Sequence, residues 1–441
     1  MIKKISIVLF VVFSAITNAQ TNYKELWKKV EGFEIDGLPK SALEVVETIY
    51  SKANAEQESP QLIKSLFYKS KFALILEEDA QLKVILELKN QIDKATYPTK
   101  NILENVLANL YWQYFNQHRY QFYKRTETKA KVNVNDFRTW DLNTLFKEIH
   151  VYFKASLEED EILQGIDISL FQDILILDKD AKKYTPTLFD FLATNALNFY
   201  KSNETGITKP SYKFIINDAK YISDYKKFQD LTIDAKDSLS LELNALKIFQ
   251  KSINFHATAE NFDALAYIDI KRLEFVNANS TFNAKEKHLY QTLEFSKKEL
   301  NNSTSSGLYA FKIAEILNKQ SKKQEALTIC NEILKKFPES LGAQKCKILQ
   351  KNILAKTLSI TAEEFIPVQQ KSRLLVTYKN VPKLYFKAYR INNNQLRVFN
   401  KTHNLNARLK LINVLSEVTS WQKTLRDDND YLQHSTEIIV P

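Results

Sequence analysis

The sequence predicts a mainly α-helical protein in which a long helical-repeat region is followed by a short β region. Three observations support this fold class. Glycine, which helix interiors disfavour and turns require, occurs 6 times in 441 residues, far below the usual share of about 7%. Apolar residues recur at helical spacing up to about residue 356. Beyond that point, β-branched and aromatic residues become frequent and partly alternate with polar ones.

The most specific pattern lies in residues 307–338 and is typical of a tetratricopeptide-type helix pair. Small and soft apolar residues stand where two antiparallel helices must approach closely. They are Gly307, Ala310, Ile313, Ala314, Leu317, Ala326, Cys330 and Ile333. Pro338 ends the second helix, because proline has no N–H group and clashes with the preceding turn. Such a unit cannot bury its apolar face alone, so the pattern predicts stacked neighbours.

The first residues predict a secretory signal peptide. Lys3 and Lys4 precede an apolar run over residues 5–16, and small residues at the end of the run place cleavage after Ala19. The run is too short to span a membrane. No cysteine follows the cleavage site, so no lipid anchor is expected there. We therefore expect residues 1–19 to be removed and the mature protein to be soluble and exported to the periplasm or cell envelope, or secreted.

The helical region is predicted to cover residues 20–356. Gly37 and Pro39 separate the first two helices, and Pro60 lies in the first turn of the third. Asp141 is a candidate N-cap. The helices named by their apolar spacing are 23–33, 41–53, 60–76, 98–115, 142–153 and 187–200, and helical spacing resumes over 228–300 after a connection at 201–223.

Residues 357–441 are predicted to form an incomplete β domain. The predicted strands lie at 358–366, 372–378, 383–391 and 436–440, with a turn at 392–394 and mixed structure over 395–433. In the third of these strands, Leu384, Phe386 and Ala388 alternate with polar or aromatic neighbours. A few strands with open edges are poorly stable and prone to aggregation. We therefore expect residue 441 not to be a natural domain end.

The net charge and the cysteines leave two interpretations each. The formal charge of +10 falls to +8 without Lys3 and Lys4 (10 − 2), and it indicates either a solvated surface or an anionic partner. Cys330 and Cys346 lie on apolar faces of consecutive predicted helices. They are either buried free thiols or, in an oxidising compartment, a disulfide, which requires Cα atoms within about 7 Å.

Several short runs make the chain similar to the N-terminal region of large alpha-2-macroglobulin-like proteins of Bacteroidetes-type bacteria. The runs are LWKKVE at 26–31, GLPKSAL at 37–43, YKSKFAL at 68–74, LANLYWQYF at 107–115, FRTWD at 137–141, YTPTLFDFL at 184–192 and SRLLV at 372–376. Together they extend over nearly the whole mature chain. None of them is a catalytic motif.

The resemblance implies a helical scaffold that leads into macroglobulin-type β-sandwiches, the first of which would begin at residue 357. It also implies protease trapping by the full-length parent, in which some members capture the protease through a thioester. The thioester requires Cys-x-x-Gln, and Ile333 and Leu349 stand where glutamine is needed after Cys330 and Cys346. The resemblance therefore implies a non-catalytic role for this segment, with proteases as partners of the parent.

The sequence carries no predicted catalytic, metal or cofactor site. The six glycines are isolated, so a glycine-rich phosphate loop is not expected, and the six histidines lack metal-ligand spacing. The acidic runs at 77–79 and 158–161 are solvated faces or helix starts, with a cation site as the alternative. We therefore expect no enzymatic activity.

Residues 111–125 interleave aromatic and basic side chains and supply most of a candidate partner surface. Its residues are Trp112, Arg119, Tyr123 and Trp140. Such a mixture can stack on single-stranded nucleic acid, but the predicted export argues against that partner. The alternatives are core packing and a groove for a peptide or glycan. Thr139, Trp140 and Asp141 with His150 indicate either such a groove or a buried aromatic anchor.

The sequence thus predicts an exported scaffold of an alpha-2-macroglobulin-like protein that serves protease inhibition or envelope defence. The alternative is a stand-alone periplasmic helical-repeat adaptor that binds a protein or a glycan.

Overall fold

Helices make up most of the chain, and antiparallel strands lie near its carboxyl end, which confirms the mainly α fold class. The computed structural model describes residues 23–78, 80–128, 131–175, 177, 179–202, 204, 207, 209–363, 365 and 370–441. The predicted leader, residues 1–19, lies outside the described residues. No helix in the described part of the chain is long and apolar enough to cross a membrane.

The chain forms two compact units, of which one ends at Thr292 and the other begins at Leu293. The amino-terminal unit contains α1 (23–35), α2 (Pro39–Glu56), α3 (Ser59–Leu76), α4 (Ala80–Lys94), α5 (Thr99–Tyr123), α6 (Leu142–Ala155), α7 (Asp160–Gln164), α8 (Ala181–Tyr184), α9 (Leu188–Tyr200), α10 (Tyr225–Gln229), α11 (Leu241–Thr258) and α12 (Phe262–Asn279). Short 3₁₀ turns lie at Phe137–Thr139, Ile168–Phe171 and Ala219–Ile222. The division falls within α13 (Lys285–Glu299).

The carboxyl-terminal unit combines helices with the strands. Its helices after α13 are α14 (Ser306–Lys319), α15 (Lys323–Lys336), α16 (Leu341–Leu354), α17 (Asn393–Lys401) and α18 (Leu405–Asn413). Its strands are β1 (Thr357–Ala362), β2 (Arg373–Lys379), β3 (Lys383–Arg390), β4 (Ser416–Thr424) and β5 (His434–Ile439).

Proline and capping side chains begin several helices. Pro60 lies in the first turn of α3, as predicted, whereas Pro39, which was expected to separate two helices, lies in the first turn of α2. In a first turn the missing N–H group would have no partner inside the helix. The Asp141 carboxylate accepts a hydrogen bond from a backbone N–H of the first turn of α6, which confirms the predicted N-cap. Thr187 and Asp190 form a capping box at the start of α9.

Two buried polar contacts tie parts of the amino-terminal unit together. His256 Nε2 lies 2.8 Å from Asp190 Oδ1, which links α11 to α9. Within α12, Arg272 and Asp269 form an ion pair whose two side chains are both 0% exposed. The same guanidinium donates a 2.7 Å hydrogen bond to the Tyr221 carbonyl oxygen. The bond to Tyr221 holds the 3₁₀ turn at Ala219–Ile222 against α12, and all of these contacts satisfy polar groups that are buried.

The helix pair predicted over residues 307–338 is confirmed. It consists of α14 and α15, and α15 ends just before Pro338. The third helix, α16, packs against both. Gly342 of α16 lies against the backbone of Gly307 in α14, an approach that a side chain at residue 342 would block.

The strands form one three-stranded and one two-stranded antiparallel sheet. In the first, β2 lies between β1 and β5, and in the second β3 pairs with β4. The strands predicted at 372–378, 383–391 and 436–440 are confirmed. The first predicted strand is confirmed at its start by β1 and is wrong at Phe365, which is not in a strand, whereas Ile366 lies outside the described residues.

The region between β3 and β5 is better ordered than the sequence indicated. The expected mixed segment 395–433 contains most of α17, all of α18 and β4. The turn predicted at residues 392–394 is wrong, because this asparagine run starts a helix. Asn392 forms a capping box with Gln395 at the start of α17, and asparagine is as strong an N-cap as it is a turn residue.

The change from helix to strand occurs at the predicted place, since α16 ends at Leu354 and β1 begins at Thr357. It does not separate the compact units. Asn380, which follows β2, donates hydrogen bonds to the carbonyl oxygens of Ile353 at 2.9 Å and Ala355 at 3.1 Å. The end of α16 and the sheet therefore belong to one unit, which extends back to Leu293.

Candidate functional site

Trp140 does not belong to a partner surface, because its side chain is only 1% exposed. Its indole Nε1 donates a 2.6 Å hydrogen bond to the Asn133 carbonyl oxygen. Its ring lies 5.8 Å from Tyr111 and 6.5 Å from Phe137, and the Lys131 ammonium lies 4.3 Å from the ring centroid. Of the two interpretations of this segment, a groove and a buried aromatic anchor, Trp140 therefore fits the buried anchor.

Trp112 of α5 is half-buried and joins three helices. Its ring stacks on Phe115 with centroids 5.4 Å apart. It meets Phe146 of α6 and Phe199 of α9 edge-on at 5.8 and 5.3 Å. Trp112 thus supports the core from its rim, and only a part of its ring remains accessible.

Arg119 and Tyr123, at the carboxyl end of α5, converge on one buried carboxylate. The Tyr123 hydroxyl donates to Glu204, with oxygen separations of 2.9 and 3.0 Å. Arg119 Nε lies 3.7 Å from the same carboxylate, whose side chain is 3% exposed. The structure therefore brings two of the four candidate residues together, with Trp112 farther back along α5 and Trp140 in the core.

A cleft of about 500 Å³ opens beside this region of the amino-terminal unit. It lies between α6, the end of α9, the connection after α9 and the start of α11. Its lining residues are Glu127, Asn143, Thr144, Phe146, Lys147, His150, Phe199, Ile207, Lys209, Pro210, Tyr212, Phe214, Lys236, Asp237, Ser238, Leu239, Ser240, Leu241 and Glu242. None of the four candidate surface residues is among them.

The cleft has an apolar floor and a charged rim. Buried Phe146, Phe199 and Leu241 supply the floor. At the rim, Lys209 Nζ lies 3.2 Å from Glu242 Oε1 in a partly exposed ion pair. Such a combination of apolar surface with a few placed polar groups is typical of a ligand site.

A buried carboxylate shapes one wall of the cleft. Asp237 is 7% exposed and accepts a 3.0 Å hydrogen bond from the Phe214 backbone N–H. This bond holds the connection after α9 against the segment that precedes α11. Lys147 and Lys236 are exposed lining residues of the cleft. The rim thus offers both ammonium and carboxylate groups to a ligand.

His150 of α6 reaches the cleft as a neutral imidazole. Its Nδ1 lies 2.8 Å from the Tyr200 hydroxyl. Burial, with a smaller contribution from the Lys154 charge, lowers the pKa of His150 to about 4. Burial also raises the pKa of Tyr200 far above its ordinary range. The phenol therefore stays protonated and can donate a hydrogen bond to Nδ1 of His150. In that arrangement the ring proton of His150 resides on Nε2, where it is a neutral donor.

We expect His150 to make the amino-terminal unit less stable in mild acid. The pKa of His150 in the folded state lies below the unfolded value of about 6.5. The contribution of neutral His150 to the free energy of unfolding is therefore complete above that pH and is lost as the pH falls toward 4. A shift of this size corresponds to roughly 3 kcal/mol. Urea titrations between pH 7 and 4 should show that His150→Gln removes most of this loss. An unchanged pH slope in His150→Gln would contradict the assignment.

Glu104 of α5 should make stability depend on pH in the opposite direction. Burial is the main cause that raises its pKa to about 7, so the folded state holds its proton longer than the unfolded chain does. Its contribution is therefore present below the unfolded pKa of about 4.3 and is lost as the pH rises through 7. Glu104→Gln should consequently be more stable than the wild type at pH 8, measured in the same titrations.

A small cluster of two aspartates and one histidine lies at the start of β5 in the carboxyl-terminal unit. Ligand atoms of Asp428, Asp430 and His434 lie within 4.8 Å of one another, the one such group among the described residues. Arg426 Nε lies 2.8 Å from Asp428, and His434 Nε2 lies 3.0 Å from Asp430. The sequence did not indicate this group, and the ion pairs already account for its arrangement.

No protein-family model, no curated protein and no solved structure matches this chain. The cleft must therefore be interpreted from its own chemistry. Of its residues, only His150 was singled out from the sequence, as part of a groove with Trp140. The others come from five separate segments between Glu127 and Glu242, and no local spacing links them. Only the fold brings them together.

Proposed function

We propose that the chain is the helical scaffold of an exported alpha-2-macroglobulin-like protein and leads into a macroglobulin-type β-sandwich. The helix pair α14–α15 would be a tetratricopeptide-like repeat unit within this scaffold. The full-length parent would trap proteases and protect the cell envelope, and the scaffold would position the trap. The observation that carries this proposal is the uncovered apolar surface of the β1–β2–β5 sheet.

The inner face of this sheet is covered at β2 and uncovered at β1. Val376 and Tyr378 of β2 are 0% and 4% exposed, and they pack with residues of β3 and the segment after β4. Their direct register partners in β1 are Ile360 and Leu358, which lie on the same face because paired residues share a face. Those two are 44% and 48% exposed. The apolar face thus extends beyond the structure that covers it.

The surroundings of the sheet show the same excess of apolar surface. In the order β1-β2-β5, the outer edges of β1 and β5 carry no further strand among the described residues. Helices α17 and α18 contain no buried residue. Leu405 and Val414 are largely exposed. Additional β structure would pair with the open edges and bury these groups.

The reading frame that follows codon 441 tests this proposal directly. We expect it to continue into repeated β-rich domains, and we expect the longer protein to protect β1 amides from hydrogen exchange at least tenfold better than the 441-residue chain. A protease mixed with the longer protein should lose activity on large substrates and keep it on small peptides. A stop at codon 442, or unchanged exchange at β1, would contradict the proposal.

The cleft favours a second candidate function, a helical-repeat adaptor that binds a peptide or a glycan in the envelope. Its apolar floor and its mixed ammonium, carboxylate and neutral imidazole groups suit an extended ligand with both donors and acceptors. This function needs no strand beyond β5. A stop after codon 441 together with ligand binding in the cleft would favour it over the scaffold.

Tyr212 gives the sharpest test of the adaptor. It is 59% exposed at the cleft, so Tyr212→Ala removes contact area without opening a core. Short peptides and chito-oligosaccharides would be screened by calorimetry. We expect a binder to lose affinity about tenfold or more in Tyr212→Ala, as for a contact worth at least 1.4 kcal/mol. The matched control is Tyr120→Ala, 81% exposed and not part of the cleft, and equal losses in both variants would rule the cleft out.

A further inference from the structure

The two cysteines of the chain lie against each other. Among 441 residues there are two cysteines, and both Cys330 and Cys346 are 0% exposed. Cys330 stands six residues before the end of α15 at Lys336, and Cys346 stands five residues after the start of α16 at Leu341. At 1.5 Å per residue both lie roughly 8–9 Å from the connecting loop. They therefore lie at one level of a helical hairpin, and a side-chain hydrogen bond between them shows that they face each other.

Small residues surround this level of the hairpin. Ala326 lies one turn before Cys330 and Ala343 nearly one turn before Cys346, and both alanines are fully buried. Side chains of this size allow two helix backbones to approach closely. A disulfide requires such an approach, since it spans Cα atoms about 4.4–6.8 Å apart.

Both cysteines are free thiols in the structure, and they are hydrogen-bonded to each other. The Cys346 thiol donates a hydrogen bond to the Cys330 sulfur, which holds the pKa of Cys330 below its ordinary value. The same hydrogen bond, together with burial, raises the pKa of Cys346. The hydrogen bond requires the two sulfur atoms to be in contact, and either cysteine can supply the attacking thiolate once the helices open.

We propose that Cys330 and Cys346 form an intramolecular disulfide that locks α15 to α16 when the protein folds in the presence of a small-molecule disulfide. One cysteine thiolate attacks one sulfur of oxidised glutathione, which breaks its S–S bond and releases one glutathione thiolate. The other cysteine, on losing its proton, attacks the protein sulfur of the mixed disulfide and releases the second. The protein gives up two protons and two electrons, and one glutathione disulfide becomes two glutathione thiols.

Burial determines when the bond forms and how it behaves. Both sulfurs are shielded from solvent in the folded unit, so glutathione reaches them during folding or on opening of α16. Once formed, the bond is shielded from reductants by the same packing. This inference concerns the chain's own chemistry and does not depend on the proposed function.

The test is refolding of the protein from denaturant in a mixture of reduced and oxidised glutathione. We expect a mass lower by two hydrogens, a proteolytic fragment that joins Cys330 to Cys346, and a loss of both titratable thiols under denaturing conditions. The closed loop should raise the melting temperature of the carboxyl-terminal unit by about 5–10 °C relative to protein kept in dithiothreitol.

The double variant Cys330→Ala/Cys346→Ala is the matched control and should show no difference between the two buffers. Two titratable thiols in the refolded wild type would overturn the proposal. Chains linked to one another instead of within themselves would also overturn it. The thiol titration is made on the wild type, so it remains decisive even if the variant folds poorly.

Discussion

Replacement of Arg272 by methionine is expected to lower the free energy of unfolding of the amino-terminal unit by about 3–5 kcal/mol. The reason is the charge that would be left behind. Asp269, like Arg272, is 0% exposed, and removal of one partner from a buried ion pair leaves an uncompensated charge in a medium of low polarity. A loss of this size would be a large part of the stability of an ordinary domain.

The guanidinium of Arg272 does more than neutralise one carboxylate. Its Nε and Nη2 lie 2.8 and 2.6 Å from Asp269 Oδ1. Its remaining donors bind the carbonyl oxygens of Tyr221 and Ser223, both at 2.7 Å, and its plane lies 4.2 Å from the Phe228 ring centroid. Methionine can replace the packing but none of these hydrogen bonds, so the 3₁₀ turn before α10 should loosen as well.

Hydrogen exchange across α12 and urea denaturation would measure the effect. Lys247→Met is the matched control, because it breaks an exposed ion pair of 3.8 Å with Asp234 and should change stability by less than about 1 kcal/mol. The double variant Arg272→Met/Asp269→Leu should recover much of the loss, since it removes both charges. If Arg272→Met lowered the free energy of unfolding no more than Lys247→Met does, the buried Arg272–Asp269 pair would not have the expected effect on stability.

Gly342→Ala should destabilise the carboxyl-terminal unit by about 2–3 kcal/mol, or more if the helices cannot separate. A Cβ atom at residue 342 would lie 2.7 Å from the Gly307 Cα and closer still to the Gly307 carbonyl group. These are backbone atoms, so no side-chain rotation can relieve the contact. Helices α14 and α16 would have to move apart, and the Cys330 level of the hairpin would be disturbed with them.

Two further glycine variants test whether the loss of stability follows the closeness of the contact that a Cβ atom would make. Gly307→Ala would bring a Cβ to 3.2 Å from Ile333 Cγ2 and 3.3 Å from Ser340 Oγ, and a smaller loss is expected because side chains can adjust. Gly32→Ala in α1 has no neighbour within 4 Å and should raise stability by about 0.5–1 kcal/mol, as alanine does in a helix interior. Thermal melts would rank the three, and a different order would contradict the close approach of Gly342.

The parts of the fold that local signals specify could be predicted from the sequence. The spacing around residues 307–338 located α14 and α15, and Asp141 located the start of α6, because caps and apolar periodicity act within a few residues. The change to β structure near residue 356 was visible for the same reason. The pairing of β2 with β5 was not, because it joins Arg373 to Ile439 across a long stretch of chain.

The candidate site could be predicted least. The mixture of aromatic and basic residues at 111–125 indicated either a partner surface or core packing, because the pattern cannot tell which side of the helix is buried. Trp140 is enclosed, while Tyr123 is tied to Glu204. The cleft depends on residues as distant as Asn143 and Glu242, and a single sequence carries no signal that such segments meet.

The open edge of β1 also has a practical consequence for the purified chain. Among the described residues no strand pairs with this edge, and its backbone groups, next to Leu358 and Ile360, offer a template on which a strand of another molecule can add. Concentrated preparations should therefore self-associate and lose solubility. The substitution Ile360→Lys would place a charge at this edge and oppose the addition of further strands. It would allow the helical part to be studied at the concentrations that spectroscopy requires.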